Sequence, residues 1–452
     1  MKQHYVLLHI LFFLFCSALH AEKPRLRVAV VGGGMAGVAA AHYIQASDPG
    51  AQISLFEKEA QLGGNARTVL VNNRKGQAVA VDAGPQYFTE GPWDEYIRFL
   101  KAYNFYNTDE ISEFKGSISI QSQGSLRPRL ITPLYGSFRG ENLGKLLWFK
   151  KFFSMAYKVY REPGDAYAKN IGDWVHSLLL PPHFKEEVII PFLAASLGTT
   201  TDDIRKTSTV EIVKLFAFRR PSMRSTFKVL HRGMGSALEH AGAELRKKGV
   251  RICTSSPVQS VFLRGGNYIV RYENGRGEQE EAFDFVVLAV HAYQAARILQ
   301  EDVASAELNT VLKGFEYFRA RIVLHSDSSF VNTRHPAFLN VFTTADNRMR
   351  SNTMNLGMID ERYEGIYKSW LSEELCTQVK DRGRFLHETV FSHPLITPAF
   401  SENLKRMEQL LEPRKDLCIG GGWTQGLETQ ETALISGRKA MEKYIRFKAE
   451  ES

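Results

Sequence analysis

The stretch Val28-Ala29-Val30-Val31, followed at once by Gly32-Gly33-Gly34-Met35-Ala36-Gly37, constrains this chain more than any other. Four small or β-branched apolar residues suit a strand buried on both faces. Gly32 permits a tight turn, Gly34 leaves the backbone open to a pyrophosphate, and Gly37 lets the next helix, expected over Val38 to Ala46, lie close to the strand. A second apolar run, Ile53-Ser54-Leu55-Phe56, ends in Glu57, about twenty residues beyond Gly37, where a carboxylate can accept hydrogen bonds from a ribose. Strand, turn, helix, strand and acid in this order predict a bound adenine dinucleotide. The acid opposes a 2′-phosphate, whereas Lys58 beside it is compatible with one, and the fingerprint alone does not separate FAD from NAD.

At 452 residues the chain exceeds one small core, so two domains, interleaved or consecutive, are expected. The formal charge of +8 is spread through the sequence without a compact basic block, which speaks against nucleic-acid binding. Lys2, the apolar run Val6 to Phe15 and Ser17-Ala18-Leu19-His20-Ala21 have the layout of a secretory signal peptide over residues 1–21, with an exported mature protein beginning near Glu22. Leu19 is large for its place before a cut, so an uncleaved anchor is the alternative. Cleavage leaves Cys253, Cys376 and Cys418, with neither a disulfide framework nor a zinc spacing, and no metal site is expected.

Further glycines follow in Gly63-Gly64-Asn65-Ala66-Arg67, where backbone again approaches something closely and the Arg67 guanidinium can meet a phosphate or a ring face. Asp82-Ala83-Gly84, with Tyr87 and Phe88 nearby, comes next. This series resembles the flavin-containing amine oxidase superfamily. The resemblance implies an α/β fold in which a Rossmann-type FAD-binding domain (residues 25–92, 223–298 and 399–446) is interleaved with an α+β substrate domain (93–222 and 299–398). It also implies that Gly32, Gly34, Met35, Ala36, Gly37, Glu57, Lys58, Gly63, Gly64, Asn65 and Arg67 contact FAD, that Val258 meets the adenine, and that Ala289 ends the strand beside the flavin. In Gly420-Gly421-Gly422-Trp423 and the helix start Glu431-Thr432-Ala433, strand, glycine turn and helix recur. The superfamily uses this segment to close over the flavin, which favours FAD over NAD, and the resemblance places Gly422, Trp423, Glu431, Thr432 and Ala433 there. Trp423 is either a wall of the site or a packed turn tryptophan.

Three departures qualify the resemblance. Gly422 stands where many members carry an acid. The strand expected at Tyr317 to Leu324 offers Arg319, Ala320 and Arg321 where amine oxidases carry a lysine. Cys418 lies inside the strand before the glycines, so no cysteine matches the covalent attachment site of monoamine oxidases, and the flavin is expected to be bound without a covalent link.

No catalytic residue is assigned from sequence. A flavin can take hydride from carbon next to nitrogen, sulfur or a polyene without a protein acid or base, provided the site is dry and the donor is well placed. His291 and His393 are either pocket groups or structural histidines. The aromatic segments suggest a lipophilic small-molecule substrate, with dioxygen or another electron acceptor, and the weaker resemblance to prenylcysteine oxidase adds a thioether to the substrate classes. In the expected helix Leu143 to Tyr160, aromatics alternate with lysines, which suits either peripheral membrane contact or core packing with lysines reaching outward. The competing functions are an NAD(P)-dependent dehydrogenase and a non-catalytic flavin-bound interaction protein.

Overall fold

The computed structural model describes residues 25–125, 128–132, 140–217 and 226–451. The expected signal peptide lies outside them. Among the described residues, no helix is long and apolar enough to cross a membrane.

The run at the head of the fingerprint forms the strand Arg27–Val31, the middle of a five-stranded sheet. Its neighbours are Gln52–Phe56 on one side and Phe285–Leu288 on the other, with Arg251–Cys253 and Leu417–Ile419 at the edges, and every pairing is parallel. Val28, Ala29 and Val30 are fully buried, as a strand covered on both faces requires. On one face lie the helices Met35–Ser47 and Gln430–Glu450. These helices touch backbone to backbone: a Cβ on Gly437 would sit 2.5 Å from the Ala39 Cβ and 2.7 Å from the Ala40 nitrogen. The alanine run Ala39-Ala40-Ala41 is thus the flat surface that a close helix pair needs.

The opposite face is covered by a three-stranded antiparallel sheet, Val258–Arg264, Asn267–Asn274 and Gly277–Phe283, with the Phe56 and Tyr272 rings 4.7 Å apart. Arg251–Cys253 joins the parallel sheet and Val258 begins the antiparallel one, because the intervening residues turn beneath Glu57, where Ser256 donates its amide to the Glu57 carbonyl at 2.8 Å.

A seven-stranded sheet forms the second unit, in the order Phe385–Pro394, Tyr317–His325, Tyr367–Trp370, Met349–Asn355, Leu339–Thr343, Ile118–Ser122, Leu130–Thr132. It draws strands from both segments that lack nucleotide signals. The helix Gly140–Arg161 packs Phe149 and Phe152 against Trp174, Phe192 and Phe216, while Leu143, Leu147 and Tyr160 stay exposed. Most of the aromatic stripe is therefore core. The helical stretch over residues 182–197 contains a widened turn at Lys185–Ile189 just before Pro191, which has no amide to continue the ladder.

Candidate functional site

The fingerprint turn is built by close backbone approach. Gly32 has φ +107°, and a Cβ there would lie 2.4 Å from the Ala289 carbonyl oxygen; one on Gly37 would lie 1.8 Å from the Gly32 oxygen. Gly34 differs from both, since the nearest atom to its added Cβ is the Gly64 Cα at 3.7 Å, so the protein itself leaves that space free. Gly63 donates its amide to the Gly33 carbonyl at 2.9 Å, which sets Gly64 facing Gly34. Two side-chain-free backbones thus border a groove at the start of the helix Met35–Ser47, whose first amides have no intrahelical partner. Met35 and Ala36 have buried side chains, so only their backbone is available to a ligand. This arrangement fits the pyrophosphate of a dinucleotide.

Glu57 is 6% exposed and accepts the Gly33 amide at 2.6 Å and the Glu59 amide at 2.8 Å, one on each oxygen. A carboxylate oxygen has two lone-pair directions, so each keeps one for a ribose hydroxyl. The Lys58 side chain turns to solvent and pairs with Glu59 at 3.6 Å, which leaves only its backbone beside the buried Glu57. Val258 begins its strand two residues after Ser256, which is bonded to Glu57. Ala289 donates its amide to Val31 and is part-exposed at the carboxyl end of its strand. Arg67 is exposed. The His387 imidazole lies below its ordinary pKa, first through burial and then through the Arg67 charge.

The C-terminal segment is placed differently from expectation. The Trp423 side chain is fully buried, donates Nε1–H to the Val290 carbonyl at 2.9 Å and packs on Phe315 at 5.0 Å, so it is a packed turn tryptophan and not a wall. Both Glu431 oxygens accept amides of Glu95 and Tyr96, at 3.0 and 2.9 Å, and so cap the helix Asp94–Ala102 rather than face the groove. Thr432 donates its amide to the Thr429 hydroxyl at 3.1 Å, and its own hydroxyl donates to the Leu427 carbonyl, which closes that helix start on itself. Ala433 is buried. Gly422 faces Glu428, whose Cγ would be 3.1 Å from an added Cβ.

Two groups outside the expected site complete the picture. Lys368, fully buried on the strand next to Tyr317–His325, donates to the carbonyls of Asp82 (2.7 Å) and Gly84 and to the Gln86 side chain at 3.3 Å. The Asp82 carboxylate accepts the Thr68 hydroxyl at 2.5 Å and the Met234 amide at 2.9 Å. Burial lowers the Lys368 pKa and raises that of Asp82. A buried lysine therefore fixes the Asp82-x-Gly84 turn from the strand next to Tyr317–His325. Tyr-Lys-Ser-Trp reads as an ordinary half-buried strand, so nothing in the sequence marked it.

The second group is Glu428. Its Oε2 lies 3.3 Å from His393 Nδ1 and 3.4 Å from Asn65 Nδ2, and its Oε1 lies 3.5 Å from His291 Nε2. Burial raises its pKa, but the hydrogen bonds and charges of the two imidazoles outweigh that and bring it down to about 2. Three separate stretches, from the fingerprint unit and the seven-stranded sheet, meet on this carboxylate. Next to it, Gly84 packs on the Asn65 carbonyl and the Phe391 ring, beside a small apolar cluster of Ala83, Ala320, Ile322 and Phe318. The sequence named both histidines and Asn65, but Glu428 read only as part of the C-terminal turn.

Residues 30–103 match the model of an NAD(P)-binding Rossmann-like domain. No curated protein sequence matches the chain. Among solved structures, a putrescine oxidase bound to putrescine superposes with a TM-score of 0.63 at 13% identity, covering 94% of this chain and 100% of that one. Cyclohexylamine oxidase from Brevibacterium oxydans gives 0.61 at 13% identity over 95% and 100%. An Exiguobacterium protein assigned as a protoporphyrinogen oxidase gives 0.59 at 15% identity over 93% and 99%. Over nearly its whole length, the chain has the α/β fold of these oxidases, a Rossmann-like unit joined to a large mixed sheet.

Proposed function

We propose that this chain is an FAD-dependent oxidoreductase that oxidises a lipophilic small molecule. The observation that carries the reading is the open face at Gly34, bordered by Gly64 and a helix start, in a turn whose other glycines are required by the protein's own packing. Gly32 to Gly37, Gly63 and Gly64 hold the pyrophosphate, Glu57 the ribose and the Val258 backbone the adenine, while Ala289 and Gly84 border the ring. Bound flavin supplies a two-electron acceptor. The protein's part is to orient the substrate against the ring and to keep the site dry, with Phe318, Phe391 and Ala320 forming an apolar wall. Dioxygen or another acceptor then takes the electrons.

The flavin is held without a covalent bond. Cys418 lies within the strand Leu417–Ile419, and burial pushes its thiol up to about 11, which disfavours the reactive thiolate. Acid precipitation is expected to release the colour, and colour retained in the pellet would contradict this. Export is part of the proposal: N-terminal sequencing of the natively expressed protein should begin near Glu22. Peripheral membrane contact is supported by Leu147 and Leu179, 62% and 83% exposed, beside Lys151, which donates to the Leu179 carbonyl. Co-sedimentation with anionic vesicles checks it. The deciding experiment for the function is a visible spectrum of the purified protein, followed by anaerobic bleaching with amines, thioethers and isoprenoids. A colourless protein that binds NAD(P) would overturn the proposal.

A further inference from the structure

We infer that His393, oriented by Glu428, is the proton acceptor for substrate oxidation, and that the substrate therefore carries an N–H or O–H on the carbon that is oxidised. The inference rests on the flavin-dependent reading above and narrows its substrate class.

His393 lies near the end of the strand Phe385–Pro394, opposite Phe318 in register, with its side chain 30% exposed between the Phe318 and Phe391 rings at 5.7 and 6.2 Å. Its Nδ1 faces Glu428 Oε2 at 3.3 Å. A carboxylate only accepts, so Nδ1 carries the hydrogen, and in the uncharged form of the ring the lone pair is at Nε2. Nε2 has no hydrogen-bond partner among the described residues. Glu428 is in turn fixed by Asn65 at 3.4 Å and His291 at 3.5 Å, so the carboxylate is a positioning residue bound to the glycine cradle. Around His291, the Tyr293 hydroxyl lies 3.4 Å from Nδ1, and the Tyr317 hydroxyl accepts the Ala292 amide at 2.9 Å. This surrounds the carboxylate with groups that hold it in place. A base whose second nitrogen is locked by a carboxylate, next to an apolar wall, is the arrangement that proton abstraction needs.

The electron and proton count follows. The substrate C–H bond breaks with its electron pair, which leaves as hydride to the bound flavin. The N–H or O–H bond breaks and its proton goes to His393 Nε2, while the electrons of that bond close a C=N or C=O bond. The imidazolium so formed is stabilised by Glu428. Neither a thioether nor a polyene carries an N–H or O–H on the carbon that loses hydride, so this proton transfer to His393 is open to neither.

Histidine tautomers in the ¹⁵N-labelled holoprotein, with His393 assigned through loss of its signals in His393→Phe, test the geometry. The expected form is Nδ1–H with a bare Nε2; an Nε2–H tautomer would overturn the inference. Anaerobic bleaching tests the chemistry. Benzylamine or a benzylic alcohol is expected to bleach the wild type, prenyl methyl sulfide and carotene are not, and His393→Gln should bleach about 100-fold more slowly at unchanged flavin content. Bleaching by the sulfide, an unchanged rate in His393→Gln, or a flavin-loaded wild type that neither N–H nor O–H donor bleaches would each overturn it. A protein purified without flavin, and unable to take it up, would instead sink the functional reading, while the tautomer result still decides how His393 is held.

Discussion

The two glycine turns of this chain have the same local pattern, strand to glycines to helix, and opposite contents. In the first, Gly32 and Gly37 are pressed against backbone, and the space beyond Gly34 is free of protein. In the second, the space is filled from within: Gly421 meets the Trp423 indole, Gly422 meets Glu428 and Thr432, and Gly426 meets the Glu211 carboxylate, whose oxygen would lie 2.2 Å from an added Cβ. A glycine-rich turn thus reports close approach, and what approaches is decided elsewhere in the sequence. At the first turn the protein leaves the space beyond Gly34 open, and at the second it fills the space with its own side chains.

This difference can be broken at its strongest point first. Gly37→Val is expected to prevent folding altogether, because a side chain 1.8 Å from the Gly32 oxygen has nowhere to go in a backbone-to-backbone contact. Circular dichroism of the soluble fraction checks it, and a folded, flavin-bound variant would show that the turn is looser than described. Glu428→Gln probes the second turn. The folded-state pKa of Glu428, about 2, lies below its ordinary 4.5, so its stabilisation is present above pH 4.5 and lost as pH falls through 2. Discounted for partial exposure, this amounts to about 2 kcal/mol. The melting-temperature gap between wild type and variant should be widest near neutral pH and close as the solution is acidified toward about pH 2; a gap independent of pH would mean that the carboxylate is not held by the two histidines.

Smaller effects sharpen the first turn. Glu57→Ala removes hydrogen bonds to a charged group worth about 1.5–3 kcal/mol, roughly ten- to a hundredfold in FAD affinity, and added FAD should restore occupancy. Since Glu57 also holds the Gly33 and Glu59 amides, part of that loss will appear as lowered stability of the apoprotein, measured by thermal melting. Lys58→Ala should leave flavin affinity unchanged, because the ammonium points to solvent and pairs with Glu59.

What the sequence made legible follows the same division. The fingerprint was readable because its residues are contiguous and each has a steric task that only glycine or a buried acid performs. The α/β class was readable for the same reason, from the apolar runs that became the strands Arg27–Val31 and Gln52–Phe56. Glu428 with His291 and His393, and Lys368 with Asp82, were not. Each is an ordinary residue locally, and its significance arises only when the fold brings positions as far apart as Lys368 and Asp82, or as Glu428 and Asn65, to within a hydrogen bond. Glu431 misled in the opposite way. It sits at a helix start in a glycine-rich motif, yet its carboxylate is taken up by the amides of a neighbouring helix.

The central claim, that the first turn is shaped for a ligand and not for the protein, is tested most directly at Gly34. An added Cβ there meets nothing closer than the Gly64 Cα at 3.7 Å, and the residue has an ordinary extended φ of −75°, so Gly34→Val is sterically permitted by the protein alone. The measurement is flavin per chain from the visible spectrum after desalting, with and without added FAD, together with the melting temperature of the apoprotein. The account predicts a folded protein with an unchanged apoprotein melting temperature and no retained flavin even after FAD is supplied. Full flavin content in Gly34→Val would contradict it, because the pyrophosphate would then have to lie somewhere other than against this glycine.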